Sequence, residues 1–306
     1  MTAVDVSTGA KPKPVRKARS GRTLPMLAVL AVLMVVWYIG AIILNSDRAE
    51  RQLNRGGDDW GIVDLIVEDL TMDRPVLPAP HQVAVELWNS LIGQPIDSPR
   101  SLVFHASVTM TSTLVGFVLG TVLGMLLAIG IVHVRTLDRS LMPWVIASQT
   151  IPILAIAPMI VVVLGNIGFT GVGPKSVISA YLCFFPVTIG MVKGLRSPDP
   201  MQLDLMRTYS ATTGQTLAKL RWPASIPFLF PSLRIGISLA LVGAIVGELP
   251  TGAQAGIGAR LLLGSYYGQM TALWAALLVA AFLAIASITV VGLVERLVVR
   301  TRGGHA

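Results

Sequence analysis

Six apolar stretches, separated by polar ones, divide this chain. A bilayer core asks for about 20 apolar residues in one helix. Leu24–Leu44 is the first such run, 21 residues without a charge. It is too long for a signal-peptide core, and no small-residue cleavage site follows, so it reads as a retained helix. The second span falls at Val103–Val132, within Ser101–Val134, and the third at Leu141–Leu164, within Ser140–Pro174. Ser176–Val192 is a shorter fourth. The fifth, Pro227–Leu249, is interrupted by Arg234, which leaves 13 uncharged residues before Glu248. The sixth is Thr271–Val294. The pattern predicts an all-α, polytopic membrane protein with about six transmembrane helices.

The connections between these runs carry an asymmetric charge. With the N-terminus inside, inner segments hold 16 basic residues: Lys11, Lys13, Arg16, Lys17, Arg19, Arg22, Arg135, Arg139, Lys193, Arg196, Arg207, Lys219, Arg221, Arg296, Arg300 and Arg302. Outer segments hold 7 (Arg48, Arg51, Arg55, Arg74, Arg100, Lys175 and Arg260), and Arg234 lies within a span. Cytoplasmic loops are the Lys/Arg-rich ones, so both termini are expected in the cytoplasm. The largest outer segment, Asn45–Arg100, carries ten acidic residues and too few apolar ones for a strong core of its own. Within it, Val83, Leu87 and Leu91 follow a Pro-rich turn at helical spacing. They predict an amphipathic helix near 80–92 at the outer interface.

Composition supports the membrane class. Of 306 residues, 53% are apolar and only 13% charged, against about 25% charged in a typical soluble domain. The net charge of +8 does not point to nucleic acid, because the basic residues sit in short clusters between apolar runs. One cysteine, Cys183, excludes an internal disulfide framework and a Cys-based zinc site. Four scattered histidines offer no metal cluster, so no metal and no cofactor is expected on this chain.

Candidate chemistry is sparse. Gly116, Gly120, Gly124 and Ala128 recur every four residues, a strip on which another helix can approach closely. Gly171-Val-Gly-Pro-Lys-Ser176 is not a phosphate-binding loop, because Pro174 replaces the glycine before the lysine and no soluble strand precedes it. If ATP powers this protein, another chain binds it. No Ser-His-Asp or Glu-His set lies at one depth, which argues against a membrane-embedded hydrolase and against catalysis by this chain. Glu248 is the carboxylate nearest membrane depth, either a functional group or an interfacial charge in water. In the third span, Pro152 and Pro158 each remove a backbone donor and invite a kink. Gln149 and Thr150 beside them either face a cavity or are satisfied inside a structural kink.

The inner segment Asp204–Pro223 is the most informative. Leu205, Met206, Tyr209, Leu217 and Leu220 have helical apolar spacing, interrupted by Ser210–Gly214. Two short helices around that turn would form either a docking surface or a pair lying on the membrane.

At this segment the chain resembles the permease subunits of bacterial ABC importers. Their motif is Glu-Ala-Ala, three residues, Gly, nine residues, then Ile-x-Leu-Pro. Here it reads Asp204-Leu205-Met206, then Ser210, then Leu220-Arg221-Trp222-Pro223, with the same spacing. Ser210 in the glycine's place suggests a turn without positive φ. Leu77-Pro-Ala-Pro-His-Gln-Val83, Gln149-Thr-Ile-Pro-Ile-Leu-Ala-Ile-Ala-Pro158, Ser232-Leu-Arg-Ile235 and Glu248 are similar to the nitrate/sulfonate/taurine branch. Leu220–Phe230 looks most like members associated with thiamine-precursor pyrimidines or riboflavin. The acidic stretch Asn45–Arg74 is longer than the branch leads one to expect.

The resemblance implies a type I importer-like permease fold, in which the segment docks on a separate ATPase through Asp204, Leu205, Met206, Tyr209, Ser210, Ala211, Thr212, Gly214, Leu220 and Pro223. It implies two ATP-binding subunits that hold ATP and Mg, a second permease (a copy or a paralogue) and an external solute-binding protein. Gln149, Thr150 and Glu248 would lie along the translocation path. The chain then divides into a basic tail (1–23), a first transmembrane helix (24–44), an outer segment (45–100), a permease core of about five transmembrane helices (101–299) with its coupling segment (204–223), and a short tail (300–306). The competing reading, a stand-alone secondary transporter, favours inverted repeats and paired midplane charges. Neither is evident here.

Overall fold

The computed structural model describes residues 23–56, 60–249 and 255–301. The basic tail Lys11–Arg22 lies outside the described residues. All regular structure among the described residues is helical: α1 (Thr23–Gly56), α2 (Ile62–Thr71), α3 (Pro80–Leu91), α4 (Leu102–His133), α5 (Arg135–Ala147), α6 (Ile153–Asn166), α7 (Val172–Leu195), α8 (Pro200–Thr208), α9 (Thr213–Thr216), α10 (Trp222–Glu248), α11 (Ile257–Tyr266) and α12 (Met270–Thr301). Five helical runs are long and apolar enough to cross a membrane, and six if the bent pair α5–α6 counts as one span.

The third span carries the kink that its prolines invite, as a full break at Pro152. In place of one helix over Leu141–Leu164, α5 and α6 meet at 102° around a 3-10 turn at Ser148–Thr150. Pro152 is the cause. A residue before proline is driven out of the helical region, and Ile151 is accordingly extended at φ −81°, ψ 122°. Pro143 and Pro158 remain inside their helices, so of the two prolines singled out in this span only Pro152 breaks the chain.

The fifth span also differs. The second of the two short helices does not stand apart. α9, one π turn (Leu217–Arg221) and α10 form a continuous run of 36 residues from Thr213 to Glu248. Pro223 lies inside this run, just after the π turn. α1 continues to Gly56, beyond the apolar run, since charges end membrane burial without ending a helix. α2 and α11 have no counterpart in the apolar pattern.

α7 is the centre of the bundle, with α4 on one side and α10 on the other. Both press glycines against it. A Cβ on Gly120 would come 2.7 Å from the carbonyl oxygen of Ala180, one on Gly124 2.8 Å from that of Phe184, and one on Gly116 2.7 Å from that of Ser176. From the other side, a Cβ on Gly243 would come 2.7 Å from Ser179 Cα. In lipid no hydrophobic force draws helices together, so close van der Waals packing on small residues must do so. Cys183, Val187, Met191 and Leu195 of α7 join Ala128, Ile131, Leu229 and Ala240 in the buried core.

α1 is peripheral. Trp37 ties it to the bundle by packing against Trp274 at a tilt of 44°, with ring centres 4.9 Å apart, and by donating to the carbonyl of Pro78. Buried Asn45 accepts the N–H groups of Val76 and Leu77 and so fixes the loop ahead of α3.

Candidate functional site

Two places concentrate polar structure: the turn after α8 and the end of α10.

α8 is capped at both ends. Asp199 Oδ1 accepts the N–H of Met201 at 3.0 Å, Gln202 Oε1 accepts the N–H of Asp199, and Pro200 opens the helix. At the other end the Ser210 N–H donates to the carbonyl of Arg207 at 2.8 Å and the Ala211 N–H to that of Met206 at 3.0 Å. This bond pair is a Schellman motif, whose central residue is left-handed. Ser210 has φ 51°, the one positive φ outside glycine among the described residues. The expectation of a turn free of positive φ is therefore corrected. Ser210 stands where the importer motif has glycine, in the conformation that favours glycine, and bears the strain. Thr212 then caps α9, exchanging bonds with Gln215.

This framework presents an apolar stripe. Met201, Leu205 and Tyr209 are 79%, 55% and 77% exposed, and their four-residue spacing puts them on one face. Met201 was missed in the sequence because it lies outside the motif. Met206, Leu217 and Leu220 turn partly inward, Leu217 against the α4–α7–α10 core. Asp204 pairs with Arg207 at 2.9 Å on the open surface, adding little. Thr212, Gly214 and Pro223 are exposed and Ala211 is half-buried. Beside the turn, His133, Arg207 and Arg221 line a notch of about 220 Å³.

The second place is a buried knot around Glu248. Its carboxylate accepts the Thr109 hydroxyl at 3.0 Å and the N–H of Gly258 at 2.8 Å. Lys175 Nζ stands 3.7 Å from it and donates to the carbonyl of Ala255 at 3.0 Å. His105 Nδ1 accepts the N–H of Gly256 at 2.9 Å, so its hydrogen lies on Nε2, which donates to the carbonyl of Pro99. Gly256 has φ 125°, and a Cβ there would run into the Glu248 carboxyl group. The knot joins α4, α7 and α10 to the chain entering α11.

Glu248 is 0% exposed. The reading of Glu248 as an interfacial charge in water is corrected, because protein groups enclose the carboxylate. Three groups, the Thr109 hydroxyl, the Lys175 ammonium and the Gly258 N–H, enclose it. Gln149 and Thr150 lie at the α5–α6 break, both exposed, with the Thr150 hydroxyl donating to the carbonyl of Ala147. A cavity of about 550 Å³ opens between α4, α6 and α7, with Lys175 as its charged member and Thr170 and Ala255 on its wall. The sequence puts Lys175 in an outer segment, whereas it lies in the first turn of α7. No periodicity marks it, because a single lysine at a span end looks like an interfacial charge. Among the described residues no group of three His, Cys, Asp or Glu side chains could hold a metal.

Residues 120–303 match the family model described as "Binding-protein-dependent transport system inner membrane component". The chain belongs to that family. It is 33% identical over 206 residues to a probable ABC transporter permease protein of Haemophilus influenzae, covering 67% of this chain and 78% of the relative. It is 31% identical over 225 residues to the riboflavin transport system permease protein RibX of Chloroflexus aurantiacus, covering 74% and 80%. Over 184 residues it is 34% identical to the formylaminopyrimidine transport permease protein ThiX of Halalkalibacterium halodurans, covering 60% and 68%. The protein is thus a multi-pass inner-membrane permease of binding-protein-dependent ABC transport, a non-catalytic membrane subunit of a type that works with ATPase and binding-protein partners.

Proposed function

We propose that this permease carries a small polar organic solute into the cytoplasm and is driven by two ATP-binding subunits docked at the α8 turn. The observation that carries this reading is the exposed stripe Met201, Leu205 and Tyr209 on a helix capped at both ends. Three large apolar side chains beside a basic notch call for a protein partner. Tight caps let a short helix transmit a push without fraying. ATP and Mg are held in the partner, and this chain binds no cofactor. The distribution of Lys and Arg places α8 and both termini on the cytoplasmic side.

A second permease, a copy or a paralogue, completes the path, and an external binding protein delivers the solute. Gln149, Thr150 and the cavity beside Lys175 line the path on this chain's side. The relatives' names support a solute of the riboflavin, thiamine-precursor pyrimidine or sulfonate class.

The test is a cysteine at Ala211, crosslinked to the ATPase in the purified complex. The native Cys183 is buried and will not compete. Crosslinking is expected, and Tyr209→Asp should abolish transport while solute still binds to its external protein, because the variant buries an unpaired charge in the interface. Absence of any crosslink in every nucleotide state, with transport intact in the charge variant, removes this segment from coupling. Ligand screening of the co-purified binding protein settles the solute.

A further inference from the structure

An apolar groove of about 390 Å³ runs between α4, α10 and α12, on the side of the bundle away from α7's central packing. Leu114 and Phe117 of α4, Leu233 and Ile237 of α10, and Val290 and Val294 of α12 line it. Its polar member, Ser287, is already satisfied by donating to the carbonyl of Leu283 at 2.7 Å. The rim is open: Leu114, Val290 and Val294 are 49%, 58% and 46% exposed. All three helices are spans, so the groove lies at membrane depth.

A charged pair closes one end. Arg234 of α10 binds Glu295 of α12 through Nη2, one residue beyond the groove's last valine. A guanidinium has five N–H donors, and 45% of the Arg234 side chain stays exposed. Arg234 passes close beside Gly292, where the site of a Cβ is 3.4 Å from Nη2. Exposed Arg296 and Arg300 follow on α12, so this end of the span carries three arginines and one glutamate.

The dimensions define the occupant. From Ala286 to Val294 the groove follows α12 for about 12 Å at 1.5 Å per residue. One leaflet's hydrocarbon is about 15 Å deep, half of the roughly 30 Å core. An acyl chain anchored at Arg234 fits that length. A crossing helix would run through both leaflets and past the charged end.

We propose that this groove binds one anionic glycerophospholipid, from the leaflet on the side of α12's C-terminal end, with its phosphate on Arg234 and an acyl chain between α4, α10 and α12. This inference stands on the membrane-spanning fold and not on the solute or the coupling site.

The test is native mass spectrometry of the full chain in its complex, exchanged into micelles holding equal phosphatidylglycerol and phosphatidylcholine. The wild type should retain phosphatidylglycerol preferentially by about fivefold, the worth of one basic side chain at an anionic surface. Arg234→Gln with Glu295→Gln, which keeps a neutral hydrogen-bonded pair, should bring the ratio near one. Leu114→Trp, at a half-exposed rim position, should lower total retained lipid whether or not the double variant folds. Equal retention of the two lipids by the wild type overturns the proposal. So does an unchanged ratio in the double variant, unchanged retention in Leu114→Trp, or a disulfide between Leu114→Cys chains of two copies, which would put a second permease in the groove.

Discussion

Thr109 Oγ1 lies 3.0 Å from both carboxylate oxygens of Glu248, 139 residues away in the chain, and accepts the N–H of Ile257 at 2.8 Å. One hydroxyl thus binds α4 to both α10 and the start of α11. Thr109→Val keeps the shape and removes both bonds, leaving a buried N–H unsatisfied. Such groups cost about 1–3 kcal/mol each. A lower unfolding midpoint in detergent is the expected outcome. Glu248→Gln should cost more, because it leaves buried Lys175 without its counter-charge, and breaking a buried pair costs about 3–5 kcal/mol. An unchanged midpoint in both variants would contradict a structural role for the knot.

Ser210 holds a left-handed conformation at the end of α8. Ser210→Gly should therefore stabilise the turn by about 1 kcal/mol, since a side chain there costs roughly 1–2 kcal/mol. Ser210→Val should destabilise it, β-branching being least tolerated at positive φ. Amide exchange of Ala211, whose N–H closes the motif onto the Met206 carbonyl, reports the change. Slower exchange in the valine variant than in the glycine variant would refute this account.

Gly120 sits with no room for a Cβ against the α7 backbone. Gly120→Leu must push α4 from α7 and open the core around Cys183. Overpacking typically costs about 1–3 kcal/mol, and a rigid carbonyl as the opposing atom places this site at or above the upper end. The variant should yield less folded permease, and reactivity of Cys183 toward a small thiol reagent should rise. Wild-type yield with an unreactive Cys183 would show that the helices do not meet there.

Asp69, near the end of α2, is wholly buried, and neither carboxylate oxygen has a partner. Burial, with a smaller contribution from neighbouring Glu68, raises its pKa above the ordinary 3.8. The folded state then binds more protons than the unfolded one as pH rises above that value. Its stabilising contribution is complete below pH 3.8 and is lost as pH rises through the folded value. Asp69→Asn should therefore raise the unfolding midpoint at pH 7, by on the order of 1 kcal/mol for relief of a buried charge. The gain should shrink toward pH 4. A gain independent of pH would assign it to packing instead.

Apolar run length and the Lys/Arg bias were enough to read a helical membrane protein with about six spans, because those features depend on local composition and on the thickness of the bilayer. The Gly116–Gly124 strip was legible for the same reason, as a spacing along one helix. The motif at Asp204–Pro223 was legible from its spacing, but its geometry was not. The left-handed Ser210 arises from a bond pattern spanning six residues, Met206 to Ala211, and the fusion of α9 into α10 depends on a π turn that no residue type announces. Position in sequence could place Glu248 at a span end without showing that Thr109, Lys175 and Gly258 converge on it. That convergence comes from three helices packed on glycine, bringing residues far apart in sequence into one buried volume where each polar group must find a partner. The same packing makes the groove ending at Arg234 and Glu295, two charges that in sequence look like an interrupted span and an ordinary tail.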